Sequence, residues 1–272
     1  MRGMRHTRTA ACSSALLLAA ACLVAAPGAA QPAPLRAGPG YVALGDSYSA
    51  GLGAGAYLPT GTNCKRSSRA YPVLWASAHK VTAFVFAACN HARTSDVLSG
   101  QLGALGAGTR LVTLTVGGMD AGFGGVMTTC ALGGTSRCLS AVTRARATVD
   151  SSLGDSLDRL YSAIRDRAPA AHVVVLGYPH LYHLRGTCEI GLQDTARAAL
   201  NDGVDHLDAV IARRAAAHGF TFADVRAAFA GHEICSASPW LHSVDVPAVT
   251  ESYHPTAPGQ SLGYLPVLER VS

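Results

Sequence analysis

The stretch that most restricts the fold is Tyr41-Val-Ala-Leu-Gly-Asp-Ser-Tyr-Ser-Ala-Gly51, an apolar run of strand type that stops abruptly at Gly45, Asp46 and Ser47. Open α/β sheets gather their ligands at the carboxyl edge of the strands, so a strand that delivers a serine into a glycine-rich turn puts a hydroxyl where chemistry is done. Gly, Asp and Ser are also the residues that any tight turn favours. Ser47 is therefore a candidate nucleophile only if the rest of the chain supplies a base and a place for the charge that its attack creates.

The remaining periodicity agrees with such a sheet. Leu111-Val-Thr-Leu-Thr-Val116 is rich in β-branched residues and closes on Gly117-Gly118, which predicts a strand ending on the same edge as Ser47. Val81 to Ala87, His172 to Gly177 and Phe220 to Ala223 predict three further strands. Helices are expected over Ala70 to His79, over Ser152 to Ala168 with Leu153, Leu157, Leu160, Tyr161 and Ile164 on one face, over Gln193 to His218, and over Ser261 to Arg270. Ala50 to Thr62, dominated by Gly and Ala, reads as a loop beside the serine. Strands alternating with helices imply a parallel sheet covered on both faces, a three-layer α/β/α domain.

The N-terminus carries Arg2, Arg5 and Arg8, an apolar run from Ala10 to Ala26, and then Pro27-Gly-Ala-Ala30. That order is a secretory signal peptide over residues 1–30, with a Pro/Gly linker over 31–40 and a single domain over 41–272. The run is Ala-rich and shorter than the roughly 20 residues of a comfortable membrane span. Without those three arginines the 22 Lys and Arg fall to 19 against 17 Asp and Glu, so the net charge of +5 becomes +2. No basic stripe remains for a nucleic-acid partner. Cys12 and Cys22 leave with the signal, and Cys64, Cys89, Cys130, Cys138, Cys188 and Cys235 remain. An even set in a secreted chain reads as three disulfides whose connectivity is open, with sequential pairing the simplest arrangement. No Cys-x-x-Cys spacing supports zinc. His180 and His183 are spaced to share a metal, but no third ligand accompanies them, so no metal and no cofactor is expected.

Three more stretches join the first. Ala88-Cys-Asn-His-Ala92, Gly117-Gly-Met-Asp120 and Ser252-Tyr-His-Pro255 follow Gly45-Asp-Ser-Tyr-Ser49 in the order of the sequence blocks of SGNH hydrolases, the GDSL lipase and esterase family. The resemblance spans nearly the whole mature chain and is strongest to the secreted actinobacterial branch. It implies an SGNH-hydrolase, flavodoxin-like α/β/α fold, disulfides Cys64 to Cys89, Cys130 to Cys138 and Cys188 to Cys235, and hydrolysis of a small-molecule or lipid ester by a secreted monomer with transient access to a lipid surface. The family's serine falls on Ser47 and its histidine on His254, the one histidine of eleven that precedes a proline in a C-terminal loop. An imidazole suits the task of taking the serine proton near neutral pH. In many members an Asp three residues before the histidine orients it, a position held here by Glu251. In related secreted members a backbone carbonyl two residues before the histidine does so instead, here that of Ser252. The Ser252 carbonyl is the preferred orienter and Glu251 the alternative.

The resemblance also implies an oxyanion hole made of the serine N–H, a second-block glycine N–H and a third-block asparagine amide. Here the glycine position is His91 and the asparagine position is Met119. A thioether cannot donate, so Met119 cannot hold an oxyanion. Donors gained at Asn90 and His91 suggest a rebuilt hole that uses the Ser47 and His91 amides with the His91 or Asn90 side chain. The same departures would also suit a non-hydrolytic acyltransferase or cyclase-like catalyst, or a silent binding protein. Tyr48, Leu52, Tyr57 and Met119 are candidates for the wall of the acyl site.

Overall fold

The computed structural model of the chain describes residues 40–59, 63–188 and 191–272. The expected signal peptide, its cleavage after Ala30 and the linker up to residue 39 lie outside the described residues, as does the end of the Ala50 to Thr62 stretch.

Five strands form one parallel sheet: β1 (Tyr41–Ala43), β2 (Phe84–Phe86), β3 (Leu111–Leu114), β4 (His172–Leu176) and β5 (Thr221–Ala223). Their order across the sheet is β2-β1-β3-β4-β5, with Tyr41 in register with both Phe84 and Leu111 and Thr113 with Val174. The inner strands are buried on both faces, including Val42, Ala43, Val112, Leu114 and Val173 to Val175. This explains why they read as continuous apolar runs and not as alternating ones.

The helices are α1 (Ser47–Ala50), α2 (Tyr71–Ala78), α3 (Thr94–Asp96), α4 (Phe123–Thr148), α5 (Gly154–Arg167), α6 (Asp194–Ala217), α7 (Arg226–Phe229) and α8 (Leu265–Glu269). They fall into two groups that pack among themselves: α3, α4, α5 and α6 in one, and α2, α7 and α8 in the other. These groups form the outer layers of the α/β/α sandwich. The chain leaves β1 toward β2 on one side and returns through β3 on the other, so the crevice between the ends of β1 and β3 is the switch point where this class of sheet binds ligands. Both Ser47 and Gly117-Gly118 follow strands that end there.

The expected strands and helices are present with ends shifted by a few residues, and the longest helix, α4, was not anticipated. It contains Gly124, Gly125, Gly133 and Gly134 and breaks at Gly134, where φ is 73° and ψ 174°. Each glycine removes about 1 kcal/mol of helix propensity, which hides the segment from a pattern-based reading. Packing against α6 supplies what propensity does not, and Cys130–Cys138 bridges the break. The other disulfides are Cys64–Cys89, which ties the loop after α1 to the segment after β2, and Cys188–Cys235. The three pairs are the sequential ones.

Candidate active site

The serine turn is built by its neighbours. Asp46 caps α1, its Oδ1 accepting the Tyr48 N–H at 3.0 Å, and Gly51 closes the helix with φ 80°. A four-residue helix has little stability of its own, so buried side chains clamp it. Gln101 brackets the Gly45 peptide, accepting its N–H at 2.8 Å and donating to its carbonyl at 2.9 Å, and Gln260 donates to the Tyr48 carbonyl at 3.0 Å. Thr115 donates to Asp46 Oδ1 and accepts the Ser49 N–H, while the Tyr178 hydroxyl donates to Asp46 Oδ2. Gly45 has φ 115°, and a Cβ there would lie 2.4 Å from the Thr115 carbonyl oxygen. Only glycine passes that point.

This bracing leaves one backbone donor uncommitted. Of the N–H groups of α1, that of Tyr48 is taken by Asp46 Oδ1, that of Ser49 by Thr115, and that of Ala50 by the Asp46 carbonyl. Among the described residues the Ser47 N–H has no acceptor, as expected for the first residue of a helix. It is the donor best placed to receive an anion beside the serine oxygen.

His254 reaches Ser47 from a loop pinned to residues 240–242. The His242 N–H donates to the His254 carbonyl, the Tyr253 N–H to the His242 carbonyl, and the Thr256 N–H to the Trp240 carbonyl. His254 Nε2 lies 2.8 Å from Ser47 Oγ, and Nδ1 lies 2.9 Å from the Ser252 carbonyl oxygen. A carbonyl can only accept, so Nδ1 carries the proton and Nε2 keeps the lone pair that faces the serine hydroxyl. Ser47 and His254 are both buried.

Glu251 does not take part in that chain of contacts. Its Oε1 accepts the Tyr57 hydroxyl at 2.7 Å, and the Tyr57 oxygen accepts the Gly53 N–H at 3.0 Å. With His242 Nε2 2.8 Å from the Gly53 carbonyl, these contacts fasten the 51–57 loop to the histidine loop. The ring of His254 is thus met by a backbone dipole and not by a carboxylate.

Burial sets the electrostatics. It depresses the pKa of His254 to about 4, opposed by the Ser252 carbonyl and reinforced by His91 and His242. The His91 side chain is exposed. Burial raises Asp46 to about 6 against the hydrogen bonds from Thr115, Tyr178 and Tyr48. A base that protonates only near pH 4 stays ready across the acidic range. The acid limb of kcat/KM for a soluble ester should therefore fall as pH drops through about 4, not through the ordinary histidine value near 6.5. A pH-rate profile in mixed buffers checks this, and a midpoint at 6.5 would contradict it.

The family model for the GDSL-like lipase/acylhydrolase family matches residues 43–262, almost all of the described domain. The chain belongs to this family. Lipase 1 of Streptomyces coelicolor is 58% identical over 265 residues, covering 97% of this chain and 98% of its own. The crystal structure of an extracellular lipase from Streptomyces rimosus superposes with a TM-score of 0.83 at 56% identity, covering 85% of this chain and 99% of that one. That of phospholipase A1 from Streptomyces albidoflavus superposes with a TM-score of 0.84 at 53% identity, covering 86% and 100%. These likenesses establish the chain as a serine ester hydrolase with the GDSL fold.

In this GDSL hydrolase an apolar cavity opens beside the serine. Ser47, Asp46, Tyr48, Met119, Phe123 and Tyr178 line its inner part, and it shares Gly118, Phe123, Leu181, Val204 and Leu207 with a second apolar compartment of about 70 Å³ between α4 and α6. Tyr48 and Met119, two of the four residues considered for an acyl wall, border this cavity. Leu52 is fully buried elsewhere and Tyr57 is held by Glu251, so neither borders this cavity. Phe123, Leu181 and Tyr178 were not anticipated. Val204 and Leu207 lie on α6, and apolar spacing along a helix cannot tell a packed core from a cavity wall. His180 pairs with Asp205 at 2.8 Å and His183 with Glu233 at 3.1 Å, so the two rings serve separate contacts.

Asn90 and His91 follow the Cys64–Cys89 bridge. His91 has φ 64°, the left-handed conformation that favours glycine. The backbone at this position therefore keeps the course a glycine would take. Among the described residues the His91 N–H has no backbone acceptor, and the Asn90 side-chain oxygen is buried without a partner.

Proposed function

We propose that the chain is a secreted lipase or esterase that opens lipid-type carboxylic esters through an acyl-enzyme on Ser47. The observation that carries this reading is the unbroken line from Ser47 Oγ to His254 Nε2 and from Nδ1 to the Ser252 carbonyl. Ser47 Oγ attacks the ester carbonyl carbon while its proton passes to Nε2. The carbonyl oxygen becomes an oxyanion held by the Ser47 and His91 N–H groups, with a third donor from the Asn90 or His91 side chain in place of Met119. Collapse of the tetrahedral intermediate expels the alcohol, which takes the proton back from Nε2. Water then attacks the acyl carbon as it gives a proton to His254, and collapse of the second tetrahedral intermediate releases the acid while Nε2 returns that proton to Ser47 Oγ.

The backbone carbonyl fixes the tautomer without adding negative charge, so the imidazolium formed during attack is stabilised less than by a carboxylate. The lipase and phospholipase relatives, with the apolar cavity beside Ser47, support a lipid ester as substrate. The extracellular S. rimosus relative, three disulfides and a signal-type N-terminus support secretion.

A fluorophosphonate probe should label Ser47, located by peptide mapping, and nitrophenyl esters should turn over. Labelling without turnover would move the reading to acyl transfer onto another acceptor, and no labelling would remove the acyl-enzyme.

A further inference from the structure

Four large aliphatic side chains stand in water, two of them on the border of one groove. Leu132 is 84% exposed, Val246 82%, Val249 66% and Val244 48%. Leu132 and Val244 border a groove of about 600 Å³ whose walls also include Tyr182, Leu192 and Tyr253. Val246 and Val249 follow Val244 in the chain that leads to His254. The groove adjoins the reacting groups: Tyr253 precedes His254, and its ring meets that of Phe123, the side chain shared by both acyl compartments, at 6.4 Å.

The rim is also poor in charge. Residues 130–136 carry none, residues 243–250 carry Asp245 alone, and Arg197, the one charged residue lining the groove among the described residues, is buried and paired with Asp194. Disulfides Cys130–Cys138 and Cys188–Cys235 hold its walls. A preformed apolar rim without cations, continuous with an acyl site, matches an uncharged lipid surface and not an anionic one, which would call for Lys and Arg.

We propose that Leu132, Val244, Val246 and Val249 form an interfacial docking rim that seats the enzyme on uncharged lipid, so that esters enter the Ser47 site from the aggregated phase. This rests on the lipid-ester reading above and adds the surface that serves it.

The test compares the parent with a triple variant carrying Leu132→Ser, Val246→Ser and Val249→Ser. Three measurements are needed: sedimentation with dioleoylphosphatidylcholine vesicles, hydrolysis of emulsified tributyrin, and hydrolysis of dissolved nitrophenyl butyrate. Vesicle partitioning and the emulsion rate should both fall by about tenfold or more, because less apolar surface enters the lipid. The soluble rate should stay within about twofold, which also reports an intact fold. Unchanged partitioning, a parallel fall of both ester rates, or parent binding confined to vesicles containing anionic lipid would each overturn the docking rim. A parent that hydrolyses neither ester would instead overturn the lipid-ester reading.

Discussion

Ser47→Ala is expected to lower ester hydrolysis by roughly ten-thousand- to million-fold, and His254→Ala alone to lower it nearly as far. The two should not multiply. Among the described residues the polar contact of Ser47 Oγ is to His254 Nε2, and the ring's own hydrogen bonds run to Ser47 and to the Ser252 carbonyl. Once either is gone, the other has no partner for proton transfer, so the double variant should hydrolyse a nitrophenyl ester at about the rate of the singles. Fold should survive in Ser47→Ala, because Asp46, Gln101, Gln260 and Thr115 brace the turn without using the serine hydroxyl. Thermal unfolding of the variant should match the parent to within about 1 kcal/mol. A double variant slower by the product of the single losses would mean that the two residues act independently.

What could be read without coordinates, and what could not, follows from the range of each interaction. Continuous β-branched runs closing on glycine are local signals, and they located the strands around Ala43 and Leu114. Those strands in turn fixed the edge on which Ser47 and Gly118 meet. His254 was legible through a short local pattern, a histidine before proline in a C-terminal loop. Gln101 and Tyr178 were not, because their roles depend on contacts 56 residues from Gly45 and 132 residues from Asp46. Phe123 was hidden for another reason: it opens a glycine-rich helix whose stability comes from α6. The orienter of His254 turns on geometry: the resemblance favours the Ser252 carbonyl and keeps Glu251 as the alternative, and spacing does not say where the Glu251 carboxylate goes. Only the structure has Tyr57 drawing the Glu251 carboxylate away.

These braces bear on the site's acid tolerance. Burial disfavours the charged form of both buried groups beside the serine, lowering His254 to about 4 and raising Asp46 to about 6. Their effects on stability have opposite signs. Relative to the unfolded chain, the His254 contribution is lost as pH falls from about 6.5 toward 4, whereas the cost of ionising buried Asp46 is relieved as pH falls from about 6 toward 3.8. The same burial that keeps the base neutral therefore also encloses a compensating carboxyl, one residue before the serine.

The oxyanion site carries the second large effect. Removing both side chains beside the bridge, Asn90→Ala with His91→Ala, is expected to lower kcat by roughly 100- to 1,000-fold, the usual consequence of losing one oxyanion donor. Adding Met119→Asn to that variant should restore most of the loss, because Met119 borders the cavity at Ser47 and an amide there supplies the donor a thioether lacks. In the parent the same Met119→Asn change should raise kcat by less than about tenfold, since the third donor is already provided. The backbone is a fair control within this series. Alanine at position 91 meets the same left-handed φ of 64° as histidine, so its N–H keeps its place and only the side-chain donor is lost. Steady-state kcat for a soluble ester across the four proteins decides the matter. If the double alanine variant keeps full activity while Met119→Asn alone gains about 100-fold, the hole works with two backbone donors and Met119 marks a vacancy instead of a replacement.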